Sequence, residues 1–204
     1  MEPKPNYNLE MERRLARLEG TPRLLLHCCC APCSSAVLER LDGHFLLDAF
    51  YDNPNIAPES EYRFRLDELR RLTAEMPLRR RPEVLDPPYS PQDFLRAAQG
   101  LEREPEGGRR CEACFRLRLE NTARRARDEG YDFFATTLTI SPLKNAALLN
   151  AIGLELAEKY GVEWLVSDFK KKDGYRRSLE LSAQYGLYRQ NYCGCAFSRK
   201  PINE

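Results

Sequence analysis

Apolar residues come along this chain in short runs separated by amphipathic stretches, the pattern of strands alternating with helices. Leu9, Met11, Leu15 and Leu18 share one face among charges, which predicts an N-terminal helix over about residues 8–19. The run Arg23-Leu24-Leu25-Leu26-His27 reads as a buried strand. It breaks at residues 28–33, and Ser34-Ser35 leads into a helix through Val37, Leu38 and Leu41, with Gly43 as its stop. Residues 45–51 predict a second strand and Asp52-Asn53-Pro54-Asn55 a turn. A charged helix fits 59–75, and a third strand is expected within 78–85 despite Arg79-Arg80-Arg81. Pro87, Pro88 and Pro91 mark a connection before helices at 92–98 and 112–128, the latter ended by Gly130. A strand at 131–137, a helix at 143–160 with Gly161 past its end, and a last strand at 162–166 complete the pattern. Such alternation predicts an α/β fold, a mostly parallel sheet with helices on both faces. In sheets of that kind, ligands collect at the carboxyl ends of strands. The turn after the first strand is therefore where a site is expected.

At 204 residues the chain suffices for one such domain (1–204) and is too short for two ordinary ones. A formal charge of +1 gives no bulk field for a polyanion, so any steering must come from local clusters. No apolar run approaches the roughly 20 residues of a membrane span, and Met1-Glu2-Pro3-Lys4-Pro5 lacks the apolar core of a secretory signal. The expected compartment is the cytoplasm, where thiols stay reduced and a high cysteine count points to metal or redox work.

Eight cysteines carry the chemistry. They form three groups: Cys28-Cys29-Cys30-Ala31-Pro32-Cys33, Cys111-Glu112-Ala113-Cys114 and Cys193-Gly194-Cys195. Two intervening residues let a pair of thiolates turn toward one metal, and four thiolates from the first two groups suit either zinc or a [4Fe–4S] cluster. The competing readings are small core residues, a disulfide scaffold, structural zinc and a thioredoxin-like pair. Concentration into three groups argues against the first, and length and compartment against the second. A closed zinc site uses four ligands and leaves too many cysteines over. Cys30 and Cys33, between a strand and a helix N-terminus, match the thioredoxin arrangement but leave two groups unexplained.

The cysteines sit among further motifs. His27 to Cys33, Tyr51-Asp52-Asn53-Pro54-Asn55-Ile56, the segments 101–114 and 136–145, Ser167 to Tyr175 and Tyr188 to Ser198 together resemble the QueH-type epoxyqueuosine reductases. The matches run in order from Leu24 to about Arg199. The resemblance implies reduction of the epoxide in epoxyqueuosine to the cyclopentene of queuosine on the wobble base of a tRNA, by an oxygen-sensitive [4Fe–4S] enzyme. It carries the family's adjacent-cysteine pair onto Cys29 and Cys30, its CxxC onto Cys111 and Cys114, and its CGC onto Cys193 and Cys195; Cys28 is an addition. The implied fold is Rossmann-like, akin to PP-loop nucleotide-binding proteins, although cysteines replace the phosphate cradle. That replacement argues against nucleotide pyrophosphatase chemistry.

Opening an epoxide to an alkene with loss of water consumes two electrons and two protons, whereas a [4Fe–4S] cluster normally passes one electron at a time. Cys33, Cys193 and Cys195 are available for a second element, either a further metal ion such as iron or a dithiol–disulfide pair. Proton-donor candidates are Asp52, Tyr51, Asp168, Lys144 and Tyr192. Among the basic runs, which are more often plain solvated surface, Lys170-Lys171-Lys172 and Arg176-Arg177 flank Tyr175 inside a family-like motif. These lysines are expected to meet tRNA phosphates, and Tyr175, Tyr188 or Tyr192 to stack on a base. The electrons would come from an unidentified donor. The rival function is a zinc-stabilised RNA-binding module without redox chemistry.

Overall fold

The structure, a computed structural model, describes residues 5–198. The ends of the expected domain, 1–4 and 199–204, lie outside the described residues. Five strands, β1 (Arg23–His27), β2 (Leu46–Phe50), β3 (Val84–Leu85), β4 (Phe133–Thr136) and β5 (Glu163–Trp164), form one sheet in the order β3-β2-β1-β4-β5. Every pairing is parallel, as the alternation of strands and helices predicts. The order makes β1 central, with the chain continuing to β2 on one side and to β4 on the other. That reversal opens a crevice at the carboxyl end of β1, where open α/β sheets bind ligands.

Alternation along β1 sends its leucines to opposite faces. Leu24 and Leu26 pack in one core with Val37, Leu38 and Leu41 of α2 (Ala31–Leu41), Leu66 and Leu69 of α3 (Glu59–Glu75), and Met11 of α1 (Tyr7–Leu15). Leu25 packs in the other core. Its companions there are Leu119 and Ala123 of α5 (Arg109–Asp128), Leu149 and Ile152 of α6 (Ala146–Tyr160), and Trp164. The sheet is thus covered on both faces, the Rossmann-like arrangement. Burial of a leucine on this scale contributes about 1.5–3 kcal/mol each.

Four boundaries differ from the sequence pattern. The expected strand at 78–85 pairs only at Val84–Leu85. Before it, Arg80 reaches back to Asp48 at 2.9 Å, and Pro82 has no N–H to donate. The first helix stops at Leu15 rather than near residue 19. The fourth strand ends at Thr136, and Thr137–Ile140 tightens into a 3-10 turn. The helix expected from residue 143 starts at Ala146, because the side chain of Asn145 caps it by accepting from the Leu148 amide at 3.2 Å. A small helix, α4 (Pro91–Ala97), matches the one expected at 92–98.

One helix has no counterpart in the expected elements: α7 (Gly174–Gln184). Its buried residues are Ser178, Leu181 and Ser182. Serines at two of the three buried positions erase the apolar stripe that would have revealed it. The Ser178 and Ser182 hydroxyls are satisfied internally, by the carbonyls of Tyr175 at 2.7 Å and Ser178 at 2.5 Å. This helix packs on α2 and closes the crevice from the C-terminal side.

Candidate active site

β1 ends at His27 and the chain turns at once. The first of the three consecutive cysteines, Cys28, is buried and belongs to the core; its sulfur faces the Leu26 carbonyl at 3.4 Å. Burial pushes its thiol well up. The next two swing out over the crevice. Cys30 is the N-cap of α2, and Cys33 lies in the helix's first turn. The sulfurs of Cys29, Cys30 and Cys33 all lie within 4.8 Å of one another. Hydrogen bonds from Cys30 and Cys33 pull Cys29 well below the ordinary thiol value, with Arg118 and the Thr137 hydroxyl at 3.5 Å adding to the effect. The same sharing pushes Cys30 up to about 12. Cys29 is thus the thiol of the trio that loses its proton most readily, with two thiols beside it, an arrangement suited to a thiophilic metal.

The facing wall comes from α5. Helical spacing puts Cys111, Cys114 and Arg118 on one face, in the helix's first three turns. The Gly107 amide donates to the Cys111 sulfur at 3.2 Å. Arg110 anchors the loop before the helix, donating to the carbonyls of Glu102 at 2.8 Å and of Glu104. Burial raises the Cys114 thiol, against the pull of Arg118.

The third group is held from a distance. The segment carrying Cys193-Gly194-Cys195 forms an antiparallel bridge between Cys195 and Ile56. The Ala57 amide donates to the Gly194 carbonyl at 3.0 Å. Cys195 packs with Phe94, Ala98 and Cys114. Cys193 is lowered to about 5 by a hydrogen bond from Cys195, aided by the Ser198 hydroxyl at 3.1 Å, while Cys195 is pushed well up by its neighbour.

Two adjoining cavities join these groups. The larger, about 320 Å³, is lined by Cys29, Cys30, Cys33 and Cys193 together with Arg65, Tyr175, Arg189 and Tyr192. The smaller, about 90 Å³, is lined by Cys111, Cys114, Cys193 and Cys195 with Phe94 and Phe115. Glu106, Arg118, Leu143, Lys144 and Cys193 line both. Seven of the eight cysteines thus converge from three distant stretches of chain, and Cys28 alone is turned into the core.

A sequence profile described as "Epoxyqueuosine reductase QueH" matches residues 24–201. The chain belongs to the QueH family. Its relatives of that name include one from Streptococcus pyogenes serotype M1, 42% identical over 202 residues, covering 97% of this chain and 79% of the relative. One from Staphylococcus epidermidis is 41% identical over 202 residues, covering 96% and 85%. One from Thermotoga maritima is 37% identical over 179 residues, covering 86% and 89%. QueH proteins are oxidoreductases by that description, and a cysteine-lined cavity able to hold a metal is consistent with it.

The remaining expected QueH site residues are distributed unevenly. Tyr175 lines the larger cavity, with Arg189 over its ring at 5.9 Å. Lys170 is paired with Asp168 at 2.7 Å and Lys172 with Glu12 at 2.7 Å, so two of the three lysines already have anionic partners. The Asp52 carboxylate accepts from Asn121 at 2.7 Å and lines neither cavity; burial raises its pKa. Tyr51 is likewise buried, its hydroxyl donating to the Tyr62 carbonyl at 3.2 Å. Of the five proton-donor candidates, Lys144 and Tyr192 line the larger cavity.

Sequence reasoning missed Arg118, His27, Asn53 and Thr137 as site residues. Arg118 is 4% exposed. It donates through Nε to His27 Nε2 at 3.3 Å, through Nη2 to Asn53 Oδ1, and through Nη1 toward the Cys114 sulfur at 4.0 Å. His27 Nε2 lies between this donor and the Asp52 carbonyl at 3.2 Å, and its Nδ1 is bonded to Thr136 Oγ1 at 2.8 Å. Burial, with Arg118 beside it, lowers His27 to about 3, so the ring stays neutral. Position 118, four residues past Cys114 on the predicted helix, was the available signal.

Proposed function

We propose that this chain reduces epoxyqueuosine to queuosine at the wobble position of a tRNA, using a [4Fe–4S] cluster held by Cys29, Cys30, Cys111 and Cys114. The observation that carries the reading is a pair of thiol walls, one from the β1–α2 turn and one from α5, facing cavities that share a buried arginine. The donor set is all sulfur, the ligand chemistry of iron–sulfur centres. Cys29 and Cys30 would hold the cluster from one wall and Cys111 and Cys114 from the other. Buried cationic charge from Arg118 offsets the net negative charge of a thiolate-bound cluster. Bound there, the cluster supplies electrons one at a time.

The chain's own residues supply the rest. Epoxide, two electrons and two protons give alkene and water, the electrons entering from a separate donor. Cys193 and Cys195 line the smaller cavity, and Cys193 borders the larger one beside Cys33. They serve as a dithiol that closes to a disulfide or, with Cys33, as ligands of a second metal ion such as iron. Lys144 and Tyr192 border the reacting space and are suited to donate protons, while the raised pKa of Asp52, held by Asn121 outside both cavities, suits a proton store. Tyr175 with Lys144 and Arg189 at the cavity rim and, to a lesser extent, Lys170, Lys171 and Lys172 are proposed to hold the tRNA. No helix among the described residues is long and apolar enough to cross a membrane, in keeping with a protein that meets tRNA in the cytoplasm.

One observation favours a second reading. The compact Cys29, Cys30 and Cys33 trio suits a single thiophilic ion such as zinc, which would stabilise an RNA-binding module. Anaerobic purification with iron, sulfide and zinc analysis separates the two. Four irons and four sulfides per chain, with product found by mass spectrometry of digested tRNA, support the reductase. Stoichiometric zinc in a colourless, inactive protein overturns it.

A further inference from the structure

We infer that Arg118 is a positioning residue that sets the reduction potential of the metal centre by holding a fixed positive charge between its two thiol walls. The inference rests on the cluster proposed above and goes beyond it, to a residue with no place in the cysteine motifs.

The geometry is unusual for a buried arginine. Among the described residues Arg118 makes no ion pair with a carboxylate; its acceptors are a neutral imidazole, a neutral amide and a thiol. Burying a guanidinium without a compensating anion is costly, so a fold keeps such a charge only where something anionic balances it. Asp52, whose charge acts on Arg118 without a direct ion pair, has its carboxylate hydrogen-bonded by Asn121. What the guanidinium faces instead is the lining of both cavities. One wall is Cys114, a helical turn before it. The other is Cys29, across the crevice.

The charge is also immobilised. Asn53, which accepts from Nη2, is itself pinned by its own amide donating to the Cys28 carbonyl at 2.9 Å. His27, which accepts from Nε, is pinned through Thr136. Both acceptors come from the carboxyl ends of β1 and β2, so the sheet itself aims the guanidinium. A cluster with four thiolates is net anionic, and each electron added makes it more so. A fixed cation beside it stabilises the reduced state and raises the potential.

The test uses the full chain, purified anaerobically, with midpoint potential read by redox titration followed in the visible and EPR spectra. Arg118→Gln removes the charge, Arg118→Lys keeps it, and Asn53→Asp cancels it while leaving the arginine in place. The expected result is full iron content, a more negative potential in Arg118→Gln and Asn53→Asp, and a potential near wild type in Arg118→Lys. Should Arg118→Gln fail to fold, Asn53→Asp alone decides. An unchanged potential in the charge-cancelled variants, or failure of both to take up iron that the wild type holds, overturns the inference and leaves Arg118 a purely structural ion. A colourless wild type removes the cluster itself, a different failure that the iron analysis reveals first.

Discussion

The Arg65 guanidinium donates to the backbone carbonyl of Cys193 at 3.3 Å, joining residues 128 apart in sequence. Arg65 is itself fixed on α3 by Glu61 at 2.7 Å, so the Cys-Gly-Cys segment is docked against a rigid helix. The residue between the cysteines must be glycine on two counts. Its φ is +98°, and a Cβ there would stand 2.9 Å from Ile56 Cγ1 and 3.0 Å from Arg65 Nη1. Gly194→Ala therefore adds backbone strain of about 1–3 kcal/mol and pushes the segment off its support. Iron content should stay near wild type while turnover falls at least about tenfold, the equivalent of some 1.4 kcal/mol. Cys195→Ser should likewise keep the colour and lose activity. Loss of the cluster's colour in either variant would put the segment among the cluster ligands, whereas loss of one iron with the colour kept would place a second ion there.

Cys193 is the thiol in that segment that ionises first. Hydrogen bonds from Cys195 and Ser198 lower it to about 5, against about 8.5 for an ordinary cysteine. In metal-free protein, alkylation at Cys193 followed by peptide mass spectrometry should show a rate midpoint far below that of a free thiol. Ser198→Ala should move the midpoint upward. A midpoint near 8.5 in the wild type would mean that the two thiols do not share a proton.

His27 makes stability pH-dependent with a definite sign. Its folded pKa is about 3 because the ring is buried beside Arg118, while unfolded histidine titrates near 6.5. A depressed pKa contributes stability that is present above the unfolded value and lost as pH falls from about 6.5 toward 3. Within that window the loss approaches about 1.4 kcal/mol per pH unit. Denaturant melts of metal-free protein between pH 7 and 5 should show the decline, and His27→Gln should flatten it. Parallel declines in both proteins would assign the pH dependence elsewhere.

The central strand and its cysteine turn were legible because burial on both faces writes a continuous apolar run, and the break after His27 is abrupt. β3 was overread because residues 78–82 approach the sheet through the Arg80 side chain, and backbone bonding to β2 begins only at Glu83. α7 was invisible because serines replace the apolar residues of its packing face. The three cysteine groups were legible by spacing, yet two features were not. Cys28 points into the core because strand alternation continues one residue past the ladder, its amide still donating to the Phe50 carbonyl at 2.8 Å. Arg118 resembles any other arginine of a helix that also carries Arg116, Arg124, Arg125 and Arg127; only the fold sets it in the lining of both cavities.

The substrate-binding surface gives the last prediction. Lys170 and Lys172 are engaged by Asp168 and Glu12, and ion pairs of this kind must be broken before a phosphate can take over. Lys144 and Arg189 instead border the thiol-lined cavity itself. Beside Lys144, Leu143 is 83% exposed at the rim of both cavities, where an apolar side chain can fill the gap left when a base leaves its stack. Removing a cation that neutralises a phosphate weakens binding and lowers the salt slope by about 0.7–0.9 for each phosphate set free, whereas removing a wedge should raise KM without changing that slope. Arg189→Ala should therefore raise KM for epoxyqueuosine-containing tRNA and flatten its salt dependence, and adding Lys144→Ala should strengthen both effects while also lowering kcat, because Lys144 is a proposed proton donor. Leu143→Ala should raise KM at every salt concentration alike. Alanine at Lys170, Lys171 and Lys172 together should have the smaller effect on KM, with iron content unchanged in all of these variants. Steady-state assays over a salt series, scored by mass spectrometry of digested tRNA, distinguish the patterns. If the triple-lysine variant shows the larger change in KM and slope, the tRNA backbone runs over the loop before α7 rather than across the cavity rim. If a free nucleoside turns over as well as the tRNA, neither surface binds substrate.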